Sequence, residues 1–273
     1  MIGATVVLYN PSLSELNNLA NYYYLVDYLY IMDNSVDSNA GKLGEIENNV
    51  KYFHYPENIG LCKALNIAIE MARKDGCDWI TVFDADSSLK TNIFDIYKKY
   101  IGTDNNVAIY APVHVFDRGN EKQFNGTKEV KWSMTSGCIF NIRIFEEVGG
   151  FMEPLFVDGL DIDYCYRVRE KGYKVMQCGD ALLNHYPGET KTLKLFGIDI
   201  LSYGWASPKR YYYQARSLIW LFKRYGNYSD VLRYLWKWFK VIFLFHDKKS
   251  YIRSLSNGTK DGFKMFKKYK DIY

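Results

Sequence analysis

Two aspartates separated by one residue directly follow an apolar segment of the chain. Residues 79–83 form that segment, and Asp84 and Asp86 come next. Alternate side chains of an extended segment project to the same side, so the two carboxylates repel each other unless a cation lies between them. Mg²⁺ and Mn²⁺ favour hard oxygen ligands and also bind phosphate oxygens. The pattern therefore predicts a divalent-metal site; a solvated turn capped by a nearby serine is the alternative.

A histidine follows another apolar stretch much later in the chain. Residues 181–183 are apolar, and His185 comes two positions after them. A neutral imidazole there would complete the coordination of a metal held by the two aspartates. A structural histidine bonded to the backbone is the alternative interpretation.

Three aspartates crowd the start of a helix that is predicted at 161–171. They are Asp158, Asp161 and Asp163. Asp161 stands at the helix start, where an acid either complements the helix dipole or acts as a general base toward an acceptor hydroxyl. Asp163 and Arg167 are four residues apart, a spacing that predicts an ion pair on the helix surface.

The elements that would position these side chains are alternating apolar strands and helices. Strands are predicted at 4–9, 28–32, 50–55 and 79–83, and helices at 12–24 and 60–73. This alternation predicts an α/β fold with a parallel, doubly wound sheet, in which ligands bind at the carboxyl ends of the strands. Polar residues follow three of those ends, at Tyr9-Asn10, at Asp33 and at Asp84. We therefore expect them to line one crevice.

Seven short segments, taken in order, resemble a known family of enzymes. They are VVLYNP at 6–11, MDNS at 32–35, NIGL at 58–61 with Ala64 and Asn66 after it, FDADS at 83–87, TSG at 135–137, DIDYCYR at 161–167 and SPKRYYYQAR at 207–216. The series spans about residues 3–225 and is similar to family 2 glycosyltransferases of the GT-A fold, most of all to bacterial rhamnosyltransferases.

The resemblance implies both a fold and a reaction. The fold is a Rossmann-like mixed sheet, mostly parallel and flanked by helices, over residues 1–200, with a C-terminal helical extension over 201–273. The reaction is an inverting, metal-dependent transfer of L-rhamnose from dTDP-rhamnose to a cell-surface glycan. Transfer of galactose, galactofuranose or an N-acetylhexosamine from a UDP-sugar is one alternative. A non-catalytic glycan-binding or scaffolding protein is an alternative from another class.

The resemblance also implies a role for individual residues. Binding of the nucleotide-sugar would fall to Tyr9, Asn10, Asp33, Asn58, Asn66 and Asp84, with Asp33 accepting the imide N–H of a pyrimidine. The ligands of Mg²⁺ or Mn²⁺ would be Asp84, Asp86 and His185. Asp161 matches the catalytic base, but its neighbour Leu160 stands where the family usually has Glu or Asp. Asp158 therefore remains the second candidate for the base.

The last quarter of the chain is strongly basic. Residues 201–273 carry 16 Lys and Arg against 4 Asp and Glu, whereas residues 1–200 carry 19 against 27. Arg233, Lys237 and Lys240 share one face of an apolar, aromatic-rich helix predicted at 229–246, which favours a helix lying flat on a membrane. Packing on the catalytic domain or on a second copy of the chain, as a homodimer, is the alternative. No nucleic-acid-binding module accompanies the charge, so nucleic acid is not an expected partner.

The hydropathy of the chain, its first residues and its cysteines together predict the cellular compartment. No run of 18 apolar residues occurs and the start of the chain lacks a basic region, so neither a membrane span nor a signal peptide is predicted. The five cysteines form no CxxC pair, which favours reduced thiols. We expect a cytoplasmic enzyme at the inner face of the cell membrane, where its glycan acceptor would be lipid-linked.

Overall fold

Two compact units make up the chain. The computed structural model describes residues 1–44, 47–116, 123–185, 188–195 and 198–273. The first unit comprises residues 1–151 and 164–186, and the second comprises 152–163 and 187–273. We call them the N-terminal and C-terminal units. The division at residue 200 stays a prediction.

In its described residues the N-terminal unit contains nine strands, four whole α-helices and the larger part of a fifth. Its strands are β1 (Ile2–Leu8), β2 (Tyr28–Asp33), β3 (Val50–His54), β4 (Trp79–Asp84), β5 (Ser88–Leu89), β6 (Val107–Val115), β7 (Thr127–Glu129), β8 (Ile139–Asn141) and β9 (Lys174–Asn184). Its helices are α1 (Leu13–Asn18), α2 (Leu61–Lys74), α3 (Ile93–Tyr100), α4 (Ile142–Val148) and α5 (Leu160–Glu170), the last beginning in the C-terminal unit. The predicted strands and the helix at 60–73 are confirmed within two residues.

The helix predicted at 12–24 is shorter than expected. Its capping box, Ser12 with Glu15, is present, but α1 ends at Asn18 and a 3₁₀ turn follows. This turn brings the buried ring of Tyr22 into a stack on Phe83, with centroids 4.3 Å apart. The gain from burying that ring over the end of β4 explains why the helix does not continue.

The strands of the N-terminal unit form one mixed sheet in the order β3-β2-β1-β4-β8-β6-β9-β5, with β7 also paired to β9. Strands β3, β2, β1 and β4 run parallel to one another, whereas β8 is antiparallel to both β4 and β6. The register aligns the carboxyl ends, because Leu8 pairs with Asp33 and Val7 pairs with Asp84. The predicted fold class and the meeting of the strand ends are confirmed.

From residue 188 onward, the described part of the C-terminal unit is an antiparallel strand pair followed by three helices. The elements are β10 (Glu189–Leu195), β11 (Ile198–Trp205), α6 (Pro208–Tyr225), α7 (Tyr228–Phe243) and α8 (Lys248–Tyr269). Helix α8 packs closely on α6 through Gly258 and Gly262. A Cβ atom at Gly258 would lie 2.2 Å from the carbonyl oxygen of Tyr212, so only glycine permits this approach.

Gly258→Ala is expected to lower the midpoint of thermal unfolding. Alanine favours a helix over glycine by about 1 kcal/mol, but overpacking of this kind costs about 1–3 kcal/mol. The net effect should therefore be destabilising. Gly41→Ala is the matched control, because among the described residues no atom beyond the adjacent ones lies within 4 Å of the added Cβ there. Equal midpoints for wild type and Gly258→Ala would contradict the close packing of α6 and α8.

Candidate active site

Asp84, Asp86 and His185 meet at the carboxyl edge of the sheet. Asp84 ends β4, Asp86 follows in the next turn, and His185 directly follows β9. One ligand atom from each of the three residues lies within 4.8 Å of the other two. His185 places Nε2 3.6 Å from Asp84 Oδ2 and Nδ1 3.3 Å from Asp86 Oδ1. The imidazole is buried and the carboxylates are partly exposed, so the cluster is open on its acidic side.

Two serines hold this cluster in place. The Asp84 N–H donates to Ser136 Oγ at 3.0 Å, and the hydroxyls of Ser136 and Ser87 lie 2.7 Å apart. Ser87 Oγ also lies 2.9 Å from His185 Nδ1. The Tyr22 hydroxyl donates to the Ser87 carbonyl at 2.8 Å. The acidic turn and the imidazole are therefore fixed by surrounding hydrogen bonds before any ligand binds.

The segment that carries Ser136 requires the glycine that follows it. Gly137 has φ +76°, and a Cβ atom there would lie 2.7 Å from Leu183 Cδ2. His114 Nε2 donates to the Ser136 carbonyl at 2.8 Å. Burial lowers the pKa of His114 to about 4, with a smaller contribution from His185, so its ring is neutral. The Thr-Ser-Gly turn, which precedes β8, thus positions Asp84.

The donor set of the cluster fits a divalent cation. Two carboxylates supply hard oxygen ligands, and an imidazole is accepted more readily by Mn²⁺ than by Mg²⁺. Coordination through His185 Nε2 would leave Nδ1–H to donate to the Ser87 hydroxyl, the kind of bond that orients ligating histidines. The chemistry of the residues present is therefore consistent with a metal site.

Asp33 is completely buried and accepts several hydrogen bonds from its own loop. Oδ1 accepts the Ser35 N–H at 2.9 Å, whereas Oδ2 accepts the Asn39 N–H and side-chain amide, both at 3.0 Å, and the Tyr52 hydroxyl at 2.5 Å. Burial alone would raise the pKa of Asp33, but these donors outweigh it and the pKa is lowered. The N–H of a bound ligand would have to share Oδ1 with the Ser35 N–H, or displace one of the donors from Oδ2.

The other residues that follow the strand ends are less buried. Tyr9 is 55% exposed beyond β1. Asn10 adopts φ +51° and donates its N–H to Ser35 Oγ at 2.8 Å. Asn58 adopts φ +48°, and its Oδ1 accepts the Gly60 N–H at 3.1 Å. Asn10 and Asn58 therefore shape their loops, while the ring of Tyr9 is available to a ligand.

Asn66 bonds to the backbone of the loop before α5. Its amide donates to the Phe151 carbonyl at 2.9 Å and accepts the Phe151 N–H at 2.8 Å. Arg167 holds the same loop by donating to the carbonyl oxygens of Gly149 and Gly150, both at 2.8 Å. Arg167 and Asp163 are 6% and 0% exposed, so the expectation that they lie on the helix surface was wrong.

The three aspartates of 158–163 have different surroundings within the C-terminal unit. Asp158 accepts two hydrogen bonds from Arg210, at 3.0 and 2.8 Å. Asp163 accepts the indole N–H of Trp220 at 2.8 Å and the hydroxyl of Tyr225 at 2.9 Å. These two carboxylates are therefore held by side-chain partners.

Asp161 differs from these two aspartates in its hydrogen bonding and in its pKa. Its Oδ1 accepts the Ile162 N–H at 2.9 Å, and no side chain in the described part of the chain bonds to it. Burial raises the pKa of Asp161 to about 6, with a further rise from Asp158 and an opposing effect of Arg233. A carboxylate with this pKa is ionised near neutral pH yet basic enough to take a proton.

The sequence of this chain is similar to those of known proteins. A model of glycosyl transferase family 2 matches residues 12–154. The chain is also 30% identical over 244 residues to the dTDP-rhamnosyl transferase RfbF of Shigella flexneri, covering 82% of this chain and 80% of that protein. The chain belongs to glycosyl transferase family 2. It is a glycosyltransferase, and the family resemblance of its sequence is confirmed.

Solved structures share the fold of this glycosyltransferase. GalNAc-T7 with UDP, GalNAc and Mn²⁺ matches with a TM-score of 0.59 at 14% identity, over 100% of this chain and 56% of that one. TarS of S. aureus matches with a TM-score of 0.51 at 14% identity, over 96% of this chain and 43% of that one. TarS 1–349 of S. aureus in complex with UDP matches with a TM-score of 0.52 at 13% identity, over 97% of this chain and 72% of that one. This chain thus spans about half the length of the first two, and the likeness confirms the GT-A fold.

Proposed function

We propose that this glycosyltransferase moves L-rhamnose from dTDP-rhamnose to a glycan acceptor with inversion at the anomeric carbon. The observation that carries the proposal is the cluster of Asp84, Asp86 and His185, whose ligand atoms lie within 4.8 Å of one another. The 30% identity to a dTDP-rhamnosyl transferase supports the choice of donor.

The donor side of the reaction is assigned to the N-terminal unit. Asp84, Asp86 and His185 hold Mn²⁺ or Mg²⁺, which when bound neutralises charge on the diphosphate. Tyr9 contacts the base with its exposed ring, while Asn10 after β1 and Asp33 at the end of β2 line the pocket for the pyrimidine. For Asn58 and Asn66, whose side chains bond to backbone, we propose positioning of the donor-site loops.

The acceptor side is assigned to Asp161, with Asp158 as the second candidate. Asp161 takes the proton of the acceptor hydroxyl while that oxygen forms a bond to the anomeric carbon. The bond between the anomeric carbon and the diphosphate oxygen breaks, and the nucleoside diphosphate leaves. Asp161 is preferred because Asp158 is engaged with both nitrogens of the Arg210 fork.

The acceptor and its location complete the proposal. We propose a lipid-linked glycan acceptor presented at the cytoplasmic face of a membrane. Support comes from the basic character of residues 201–273, with 16 Lys and Arg against 4 Asp and Glu, which favours approach to an anionic surface.

A donor panel tests the choice of sugar and nucleotide. In the presence of Mn²⁺, dTDP-rhamnose should raise the unfolding midpoint most and should be the donor from which nucleotide is released. A ligand at about 100 times its Kd stabilises the folded state by about 2.7 kcal/mol, which a thermal shift detects. A larger shift and release with a UDP-hexose would assign the UDP-sugar alternative. No response to any nucleotide-sugar would contradict the proposed donor.

A further inference from the structure

Helix α7 exposes one stripe of large apolar side chains to solvent. Seven large apolar residues on one face of the helix are exposed: Tyr228, Leu232, Leu235, Trp236, Phe239, Ile242 and Phe243. Their spacing of three and four residues makes one continuous stripe. Trp236 stacks on Phe239 with centroids 5.2 Å apart, and Phe239 contacts Phe243 at 4.9 Å. The stripe runs the full helix, which is about 24 Å long at 1.5 Å per residue.

The cations of α7 face the C-terminal unit instead of solvent. Lys240 is buried and donates to the Gly204 carbonyl at 2.7 Å. Lys237 donates to Gln214 Oε1 at 2.7 Å, and burial lowers its pKa to about 8. Arg233 lies 3.2 Å from the buried carboxylate of Asp230. The basic stripe expected to meet a membrane directly is therefore turned inward, which corrects that part of the sequence interpretation.

The outer face of α7 departs from the usual pattern of a surface helix, although the inner face also packs Tyr234, Trp238 and Val241 into the core of the C-terminal unit. Such helices bury the apolar stripe and expose the charged one, because exposure of large apolar side chains to water is unfavourable. A contiguous aromatic and aliphatic stripe left in water marks an interaction site. The exposed apolar face of α7 is therefore expected to contact a binding partner.

The positive charge of residues 248–270 favours an anionic membrane over a second copy of the chain as the partner of α7. Eight Lys and Arg side chains between residues 248 and 270 are exposed. A symmetric dimer through α7 would bring two such cationic regions together, with 16 Lys and Arg against 4 acids in each copy from residue 201 onward. An anionic lipid surface is attracted by the same charge. Trp and Tyr favour the membrane interface, and Trp, Phe and Leu are typical of the apolar face of helices that lie in it.

We propose that α7 lies flat in the headgroup region of an anionic membrane and inserts Trp236, Phe239 and Phe243 below the headgroups. The exposed cations of 248–270 supply the attraction, while α7 supplies the inserted apolar surface. None of the described helices is both long and apolar enough to span a bilayer. This inference deepens the membrane contact in the proposed function, but it does not depend on the donor or on the metal.

Vesicle sedimentation of the full chain tests this inference. The wild type should pellet with vesicles of phosphatidylcholine and phosphatidylglycerol, and less with phosphatidylcholine alone. Trp236→Ser/Phe239→Ser should reduce binding at least about tenfold, since each large apolar side chain removed from water contributes about 1.5–3 kcal/mol. Leu13→Ser/Val36→Ser is the matched control, because those side chains are 69% and 68% exposed in the N-terminal unit. It should pellet like the wild type.

The outcomes separate the occupants. Equal pelleting of Trp236→Ser/Phe239→Ser and wild type would overturn the proposal. The proposal would also be overturned if the wild type did not pellet with vesicles but formed a dimer in solution, and if Trp236→Ser/Phe239→Ser abolished that dimer. The exposed face of α7 would then bind a second copy of the chain. Nucleotide release from the donor, measured on the same preparations without vesicles, reports on the glycosyltransferase reaction separately. If the wild type released no nucleotide, the proposed function would be contradicted. The vesicle result would still test membrane binding by α7.

Discussion

Asp161→Asn should lower kcat for sugar transfer by about 10²–10⁴-fold, the usual contribution of a general base. The amide keeps the size of the side chain and can still accept the Ile162 N–H, which now lies 2.9 Å from Oδ1. It cannot take the acceptor proton. The Kd for the donor should stay near the wild-type value, because the donor is assigned to other residues. Transfer kinetics and donor titration on the same variant measure both quantities.

Asp158→Asn is the matched control for this prediction. It removes the negative charge that pairs with Arg210, whose fork lies 3.0 and 2.8 Å from Asp158, so a lower unfolding midpoint is expected. The loss of kcat should be smaller than for Asp161→Asn. The reverse order, at an unchanged midpoint for Asp158→Asn, would make Asp158 the base.

The dependence of kcat/KM on pH gives a second measure of the same assignment. Burial raises the pKa of Asp161 to about 6, and Asp158 raises it further. The base form is lost below that pH, so kcat/KM should rise with pH and level off above about 6. Asp158→Asn removes the negative charge that raises this pKa and leaves the opposing effect of Arg233, so the inflection should move to lower pH. An unmoved inflection would contradict the assignment of this titration to Asp161.

Asp86→Ala should lower kcat/KM by more than about 100-fold, because loss of a residue that only orients a metal ligand already costs about 10–100-fold. The variant removes one of two carboxylates assigned to the metal, so binding of Mn²⁺ should weaken in parallel. Activity assays over a range of Mn²⁺ concentrations measure the effect. Chelation of the wild type should give the same loss, and added Mn²⁺ should restore activity.

Two further variants control for the loss of a side chain. Ser87→Ala removes the hydroxyl 2.9 Å from His185 Nδ1 but leaves all three metal ligands, so higher Mn²⁺ should recover most of its activity. Asp180→Ala removes an exposed carboxylate of β9 and should change neither activity nor Mn²⁺ affinity. A kcat/KM of Asp86→Ala close to that of Asp180→Ala would contradict the metal site.

The donor side of the site could be predicted from the sequence because local patterns encode it. Apolar strands end at Leu8, Asp33 and Asp84, and parallel pairing then brings these ends together whatever the details of packing. Ser136 was visible only as part of a family segment, without a role. Its bond to the Asp84 N–H joins residues 52 positions apart, and no local pattern reports such a contact.

The C-terminal unit could be predicted less well, because tertiary partners decide which face of a helix is buried. The sequence of α7 has an apolar stripe and a basic stripe, and the usual rule buries the first. Partners for the cations, such as the Gly204 carbonyl for Lys240, instead draw the second stripe inward. Asp163 shows the same limit, since its spacing from Arg167 predicts a surface pair but Trp220 covers it.

Calorimetric titration of the wild type with dTDP tests the central claim most directly. The claim is that a divalent metal held by Asp84, Asp86 and His185 binds the diphosphate of the donor. Binding heat should be strong with Mn²⁺ and absent or much weaker with EDTA, and Asp84→Ala/Asp86→Ala should resemble the EDTA sample even with Mn²⁺ present. The same dTDP affinity in Mn²⁺ and in EDTA, or an unchanged metal dependence in the double variant, would contradict it.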